Sequence, residues 1–335
     1  MLKQVKRVTI RDVAKSCGVS AATVSQILNR RESNYSSQAT RALVRRRAKE
    51  MGYQPNFGYR LMHGLPTCMA AIVLGAPATI RDEYIQELER LLCTRLSDMG
   101  YAVCIAPMPQ DREARPAVLD NLIQRGVEQL ILIGPVFDNR KLAELARERQ
   151  VTITGYESGY ENDIHVDVES GMLQLLEHFR RRGRSCIRAV IEPEICRCSA
   201  LSRFFGRKID AESPEVTAFR TLHRAEEGNY VQQAFDTGYR KTAELLARTP
   251  ETDAIFYHSD YFALGGAKCL LDHGRVVGRD VLISGFNETR AVSTYPFPIS
   301  SVSHDVPRIA DRLLASFREE SSGKFVIAPQ VILRD

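Results

Sequence analysis

The 335-residue chain lacks any run that would carry it into or through a membrane. No stretch of about 18 apolar residues is present to span a bilayer. The opening MLKQVKRVTI has no apolar run for a signal peptide, so a cytoplasmic location is expected. Enzyme signatures are missing too: there is no G-x-S-x-G elbow, no Walker loop and no HExxH. His258, Ser259 and Asp260 are adjacent, but neighbours on an extended strand point to opposite faces and cannot form a Ser-His-Asp relay. Gly265-Gly266 lies inside a helical pattern without phosphate-loop spacing. Catalysis is therefore not expected. The eight cysteines are irregularly spaced, and Cys196 and Cys198 form a lone CxC with no second pair. Idle thiols in a reducing compartment fit better than a metal site, and no cofactor is expected. The chain ends at VILRD with no leucine-heptad tail, so nothing points to a tetramer. Hydrophobic content of 44% and charged content of 26% are ordinary for a globular protein long enough for several compact units.

What is present starts with residues 8–29, VTIRDVAKSCGVSAATVSQILN. Ile10, Val13, Ala14 and Cys17 form one apolar helical stripe, with Thr9 as N-cap candidate. Gly18 breaks the helix and Ser20 opens a second one, on which Val24, Ile27 and Leu28 share a face. Ala22, Gln26 and Asn29 fall opposite, with no apolar partner. Two short helices about a Gly turn read as a helix-turn-helix, or else as a hairpin that only packs a core. Charge favours the first reading. Residues 1–65 hold 13 Lys and Arg against 3 Asp and Glu, a net of +10 in a chain of net +5. A basic head on an acidic body is the footprint of a polyanion binder.

The strings VTI-x-DVA, GVS, TVS and LN at these spacings closely resemble the DNA-binding segment of the LacI/GalR transcriptional repressors. After a polar loop at 32–35, Ser37 caps a third helix, QATRALVRRRAKEMG, with Val44, Ala48 and Met51 inward and Arg41, Arg45, Arg46 and Lys49 toward solvent. The string T-R-x-x-V followed by GYQPN extends the resemblance to residue 56. It implies DNA contacts from Thr9, Ser20, Ala21, Ala22, Thr23, Ser25, Gln26, Asn29, Arg41, Tyr53 and Asn56. Base reading falls to Ala21, Ala22 and Gln26. Residues 56–66 read as a linker, which in this family is a hinge that becomes helical on operator DNA. Arg60 matches the hinge arginine, and Met62 stands at the position that wedges between base pairs. Gly58 and Tyr59 depart from the usual small helix formers and would weaken that helix.

From residue 67 the pattern becomes strand-helix alternation. AAIVLG (70–75), YAVCIA (101–106), QLILIG (129–134) and VTITGY (151–156) read as strands, separated by helices at 81–99, 112–125 and 138–149. A second set has strands near 186–191, 215–221, 253–257 and 280–285, with helices near 168–182, 198–209, 229–248 and 260–273. Such alternation predicts parallel sheets covered on both faces, here in two doubly wound lobes with a cleft at the strand carboxyl ends. The overall expectation is an all-α helix-turn-helix head (1–55), a hinge (56–66) and an α/β core (67–335).

The core resembles the family's periplasmic-binding-protein-like sensor through Arg203-x-x-Gly206, AIFYHSDYFALGG (254–266), DVLISGFNE (280–288) and SSVSHD (300–305). The resemblance implies three passages between lobes, with lobe one at 67–162 and 296–321 and lobe two at 163–295 and 322–335. It places Arg203 and Asp260 on the hydroxyls of an effector and Tyr84 as a stacking ring. Asp167 opens an element in which Val168 replaces the family's Asn, and Ser259 replaces another Asn before Asp260. Phe137, Tyr156, Phe286 and His304 are pocket candidates by position, with ordinary packing as an equal alternative. The chain is thus identified as a LacI/GalR-type repressor. Such a protein would be a homodimer on pseudo-palindromic double-stranded operator DNA, controlled by a small effector, a sugar or sugar derivative. The alternatives are a sugar-binding module of transport type and a constitutive DNA-binding protein without effector.

Overall fold

The computed structural model describes residues 8–29, 36–53, 58, 60, 65–75, 83–109, 111–135, 139–220, 230–317 and 323–334. The chain divides into two compact units, Met1–Cys68 and Met69–Asp335. The polar loop 32–35 lies outside the described residues.

The first unit contains α1 (Ile10–Cys17), α2 (Ala21–Asn29) and α3 (Gln38–Glu50). Each helix begins where a hydroxyl can satisfy a backbone donor that the helix itself leaves unpaired. Thr9 and Asp12 form a reciprocal capping box on α1, with the Thr9 N–H donating to the Asp12 carboxylate at 2.8 Å. Ser20 Oγ accepts from Thr23 N at 3.0 Å, and Ser37 Oγ from Thr40 N at 3.1 Å. Gly18 ends α1 at φ 65°, a left-handed conformation that penalises any residue with a Cβ. The three helices close over Val13, Ala14, Val24, Ile27, Val44 and Ala48.

The second unit holds two six-stranded sheets. The first contains β1 (Met69–Leu74), β2 (Ala102–Pro107), β3 (Gln129–Ile133), β4 (Thr152–Tyr156), β5 (Asp163–Val166) and β11 (Lys324–Ile327), in the order β11-β5-β4-β3-β1-β2. The second contains β6 (Ile187–Ile191), β7 (Val216–Ala218), β8 (Ala254–Tyr257), β9 (Leu282–Ser284), β10 (Ile299–Ser303) and β12 (Gln330–Ile332), in the order β12-β10-β9-β8-β6-β7. All pairings are parallel except β10 with β12. Helices α4 (Glu83–Asp98), α5 (Arg115–Gln124), α6 (Asn139–Arg149) and α12 (Val306–Ala315) accompany the first sheet. The second has α7 (Val168–Arg181), α8 (Ile195–Phe205), α9 (Tyr230–Arg248), α10 (Asp260–Asp272) and the short α11 (Arg290–Ser293).

Alternate residues of β1 enter different cores: Ala70, Ile72 and Leu74 one, Ala71 and Val73 the other. Period-two alternation therefore sends side chains to two buried faces, which is why the strand reads as unbroken apolar sequence. The second sheet does the same with Ile255 and Tyr257 against Ala254 and Phe256. Between α9 and α10 the backbones touch. A Cβ on Gly265 would lie 1.9 Å from the Phe235 carbonyl oxygen, which explains that glycine as helix packing, whereas a Cβ on Gly266 would lie 2.1 Å from the Tyr257 hydroxyl of β8.

The lobe boundaries move from those expected. Residues 163–166 pair in the first sheet, 299–303 in the second, and 324–327 return to the first. The chain passes between lobes three times, near Asp167, near His304 and between β11 and β12. DIHV carries two ionisable residues and ISSVS three serines, so neither reads as a core strand. Both are buried because their polar atoms are paired: Asp163 accepts from Ser158 and Gly159, and Ser301 donates to Asp260. No helix among the described residues is long and apolar enough to cross a membrane.

Candidate functional site

On the head, Ala22 is exposed, and Ser25 and Gln26 are half-buried on α2, while Ala21 packs partly against the helical core. Thr23 Oγ1 lies 2.8 Å from Ser20 Oγ, so both hydroxyls also serve the cap. Asn29 is the last residue of α2. Arg45, Arg46 and Lys49 of α3 are exposed and Arg41 is half-buried. Two arginines of that face are tied to Glu50: Arg47 at 3.0 Å and Arg46 at 3.8 Å. Tyr53 is anchored rather than free. Its N–H donates to Ala48 O at 2.8 Å, it packs on the head core, and burial raises its phenol against the pull of Arg60. Of the hinge, Gly58 and Arg60 are helical, and Arg60 Nη1 donates to Cys68 Sγ at 3.8 Å. Asn56 and Met62 lie outside the described residues.

Within the second unit a cavity of about 630 Å³ opens between the two sheets. Tyr84, Tyr156, Asp167, Phe286 and His304 line it together. His304 is the centre of this group. Tyr84 stacks on its ring at 3.9 Å between centroids and 7° between planes, and Phe286 meets it edge-on at 5.5 Å. Its Nδ1 lies 3.0 Å from Tyr156 Oη and its Nε2 2.9 Å from Asn287 Oδ1. A neutral imidazole protonated at Nε2 satisfies both contacts, with the tyrosine hydroxyl donating to Nδ1. Burial, and then the positive Arg197, bring the His304 pKa down to about 3. Asp167 caps α7 by accepting from Ser170 N at 3.0 Å.

Two expected contacts are not where the sequence reading put them. Arg203 does not line the cavity; it sits in the last turn of α8, with 68% of its side chain exposed, paired to Glu169 at 2.7 Å. Helix α8 turns Arg197, Ala200, Leu201 and Phe204 inward, which leaves 203 outside. Asp260 is fully buried beneath the cavity wall, its two oxygens accepting from Ser301 Oγ and Thr289 N, both at 2.6 Å. Burial pushes its carboxyl up to about 7, against those hydrogen bonds. It braces the site instead of facing it. Phe137 lies outside the described residues.

The sequence reading missed Arg197. This guanidinium is buried, pairs with Glu194 at 3.0 Å and lies 5.0 Å from the centroid of the Phe286 ring at the cavity wall. Its Nη1 and the Ser259 hydroxyl are buried and have no hydrogen-bond partner. Such unpaired groups in a cleft mark a site that a ligand or a change of arrangement would complete. Glu157, His165, Glu194, His258 and Asn287 also line it. Burial holds His258 neutral, its pKa well below the usual value. Four of the non-glycine residues with positive φ, Glu157, Asn287, Glu288 and Asp305, flank this region. Backbone strain of that kind collects at functional sites. No cluster among the described residues could hold a metal ion.

Residues 9–56 match the family model of bacterial regulatory proteins, lacI family, and residues 176–331 that of a periplasmic binding protein-like domain. Among curated relatives, the HTH-type transcriptional repressor PurR of Pasteurella multocida is 25% identical over 97% of each chain. The lactose operon repressor of Escherichia coli is 24% identical over 98% of this chain and 88% of its own. A crystal structure of the lac repressor dimer bound to operator and an anti-inducer superposes with a TM-score of 0.74 at 23% identity, covering 98% of both chains. Helix-turn-helix head, two-sheet core and near full-length similarity agree: the chain belongs to the lacI family of bacterial regulatory proteins.

Proposed function

We propose that this regulator is a cytoplasmic homodimeric repressor whose operator affinity is set by a small molecule, a sugar or sugar derivative, bound between its lobes. The observation that carries the proposal is the face of α2. It turns Val24 and Ile27 into the core and leaves Ala22 open, on a head whose first 65 residues carry a net charge of +10. Ala21, Ala22 and Gln26 would read base edges in the major groove. Arg45, Arg46 and Lys49 would contact phosphates, which position a reader without specifying sequence. Gln pairs bidentately with adenine, so an A·T pair is expected opposite Gln26.

In the cleft, Tyr84, Tyr156, Asp167, Phe286 and His304 would hold the effector, joined by Arg197. Arg197 takes the role that Arg203 and Asp260 are too remote or too buried to fill. Effector binding biases one lobe arrangement, and coupling to the operator is bounded by its differential affinity for the two arrangements. The test is a thermal-shift screen of sugars and nucleosides, run on wild type and Tyr84→Ala, with operator binding measured beside it. At least one compound should raise the wild-type midpoint, change operator affinity and lose both effects in Tyr84→Ala. Operator binding indifferent to every compound would favour a constitutive DNA-binding protein.

A further inference from the structure

Among the contacts that join the lobes, one pair lies outside the effector cleft and uses a carboxylate that no part of the proposed function requires. Glu83 is the first residue of α4 in lobe one. Its Oε1 accepts from the Tyr261 hydroxyl of α10 at 2.8 Å, and its Oε2 accepts from the Arg290 backbone N–H at 2.9 Å. Both donors belong to lobe two. Arg290 begins α11, so its N–H has no partner within the helix, and Thr289 before it makes no side-chain cap. Glu83 satisfies that donor from the opposite lobe.

The receiving segment is held under load. Asn287 and Glu288 have φ of 98° and 49°, both left-handed and both non-glycine. Neighbouring contacts pin them: Glu288 N donates to Ser301 Oγ at 3.1 Å, the Glu288 carboxylate pairs with Arg334, and Thr289 N donates to the buried Asp260 carboxylate. The same segment walls the effector cleft through Phe286 and Asn287. It therefore meets lobe one at Asn287, through His304, and at Arg290, through Glu83 and the nearby charge of Glu87. On the lobe-one side Tyr84, next to Glu83, stacks on His304. The residues that wall the cleft, Phe286 and Asn287, and the amide that Glu83 holds, Arg290, thus lie on one short segment.

We infer that Glu83 is a lobe-locking residue: its carboxylate fastens α4 to residues 287–290 and holds the lobe arrangement seen here, so that cleft occupancy works against this grip. This inference rests on the reading of the chain as a regulator worked by lobe movement. A carboxylate suits the task because it only accepts, and both partners are donors. An amide in its place has no charge and a single acceptor oxygen, so the Arg290 N–H keeps at best a weaker, neutral hydrogen bond and the Tyr261 hydroxyl must turn to accept from the amide nitrogen.

The test compares full-length wild type, Glu83→Gln and Tyr261→Phe by amide hydrogen exchange, and by binding to an operator selected from random DNA with the wild-type protein. Glu83→Gln should speed exchange at the Arg290 amide about tenfold or more while exchange in α2 and α3 stays as in wild type. Tyr261→Phe, which leaves the Arg290 contact intact, should give a smaller change in the same direction. Operator affinity should shift at least about threefold in Glu83→Gln, and Tyr261→Phe should shift it the same way but less. Wild-type exchange at Arg290 in Glu83→Gln, or unchanged operator affinity alongside faster exchange, would overturn the inference. Should Glu83→Gln not fold, wild-type exchange across 287–290 and wild-type operator affinity in Tyr261→Phe would overturn it as well. A failure of the regulator reading looks different: Arg290 loses protection in the variant, but wild type selects no operator at all.

Discussion

His304 sits where neutrality is a structural requirement. Its Nδ1 must accept from Tyr156 while Nε2 donates to Asn287, and its folded pKa of about 3 lies below the ordinary histidine value of 6.5. The stability it lends is therefore full above about pH 6.5 and is lost as pH falls through that value toward 3. His258 acts with the same sign. Asp260 acts with the opposite sign: its carboxyl is raised from 3.8 to about 7, so its burial is least costly below about pH 4, and the cost grows as pH rises through 7. Urea unfolding of wild type and His304→Gln between about pH 7.5 and 5 should show a shallower acid loss in the variant. An identical slope would mean that His304 is not held neutral.

The two arginines of α8 separate stability from binding. Arg203→Ala removes an exposed ion pair and should change stability by less than about 1 kcal/mol with the effector response kept. Arg197→Met removes a buried guanidinium whose Nη1 is unpaired and leaves the half-exposed Glu194 to water, so stability should change by no more than about 2 kcal/mol. The effector-induced thermal shift should nevertheless disappear. Equal loss of response in both variants would refute the reassignment. Arg197 was legible in principle, since 197, 200, 201 and 204 follow the i, i+3, i+4, i+7 spacing of one helix face. The R-x-x-G string drew attention instead to Arg203, further along that helix, exposed and outside the cavity lining.

At the scale of elements, the parts that could be read from sequence were those with a strong period or a strong breaker. Helices α1 to α3 announce themselves through apolar stripes, hydroxyl caps and Gly18, and β1, β3 and β8 through unbroken apolar runs. What stayed hidden were strands whose burial depends on pairing with distant residues. Asp163 in β5 and Ser301 in β10 look solvent-bound until Ser158, Gly159 and Asp260 are brought to them by the fold. No local pattern carries that information. Gly265 is the reverse case, a helix-weakening residue explained only by the backbone of α9 against it. Gly265→Ala should cost about 2 kcal/mol or more, because the neighbour that must move is the Phe235 carbonyl and not a flexible side chain. A midpoint in chemical denaturation within error of wild type would show that the two helices can separate without loss.

For the whole molecule, the predictions rest on charge asymmetry and on the proposed pairing of two copies. With a net of +10 over residues 1–65, operator affinity should fall with salt at a log–log slope on the order of −5 to −8. A slope near zero would remove the basic face from the account. More specifically, α2 is expected to read base edges, and to do so as a symmetric pair. Selection of bound sequences from random DNA, performed on wild type and on Gln26→Ala, tests it most directly. Wild type should enrich a pseudo-palindromic site with an A·T pair opposite Gln26 in each half, and the variant should lose preference at that pair while keeping the rest. No enriched sequence in wild type, or the same preference at that pair in Gln26→Ala, would contradict it.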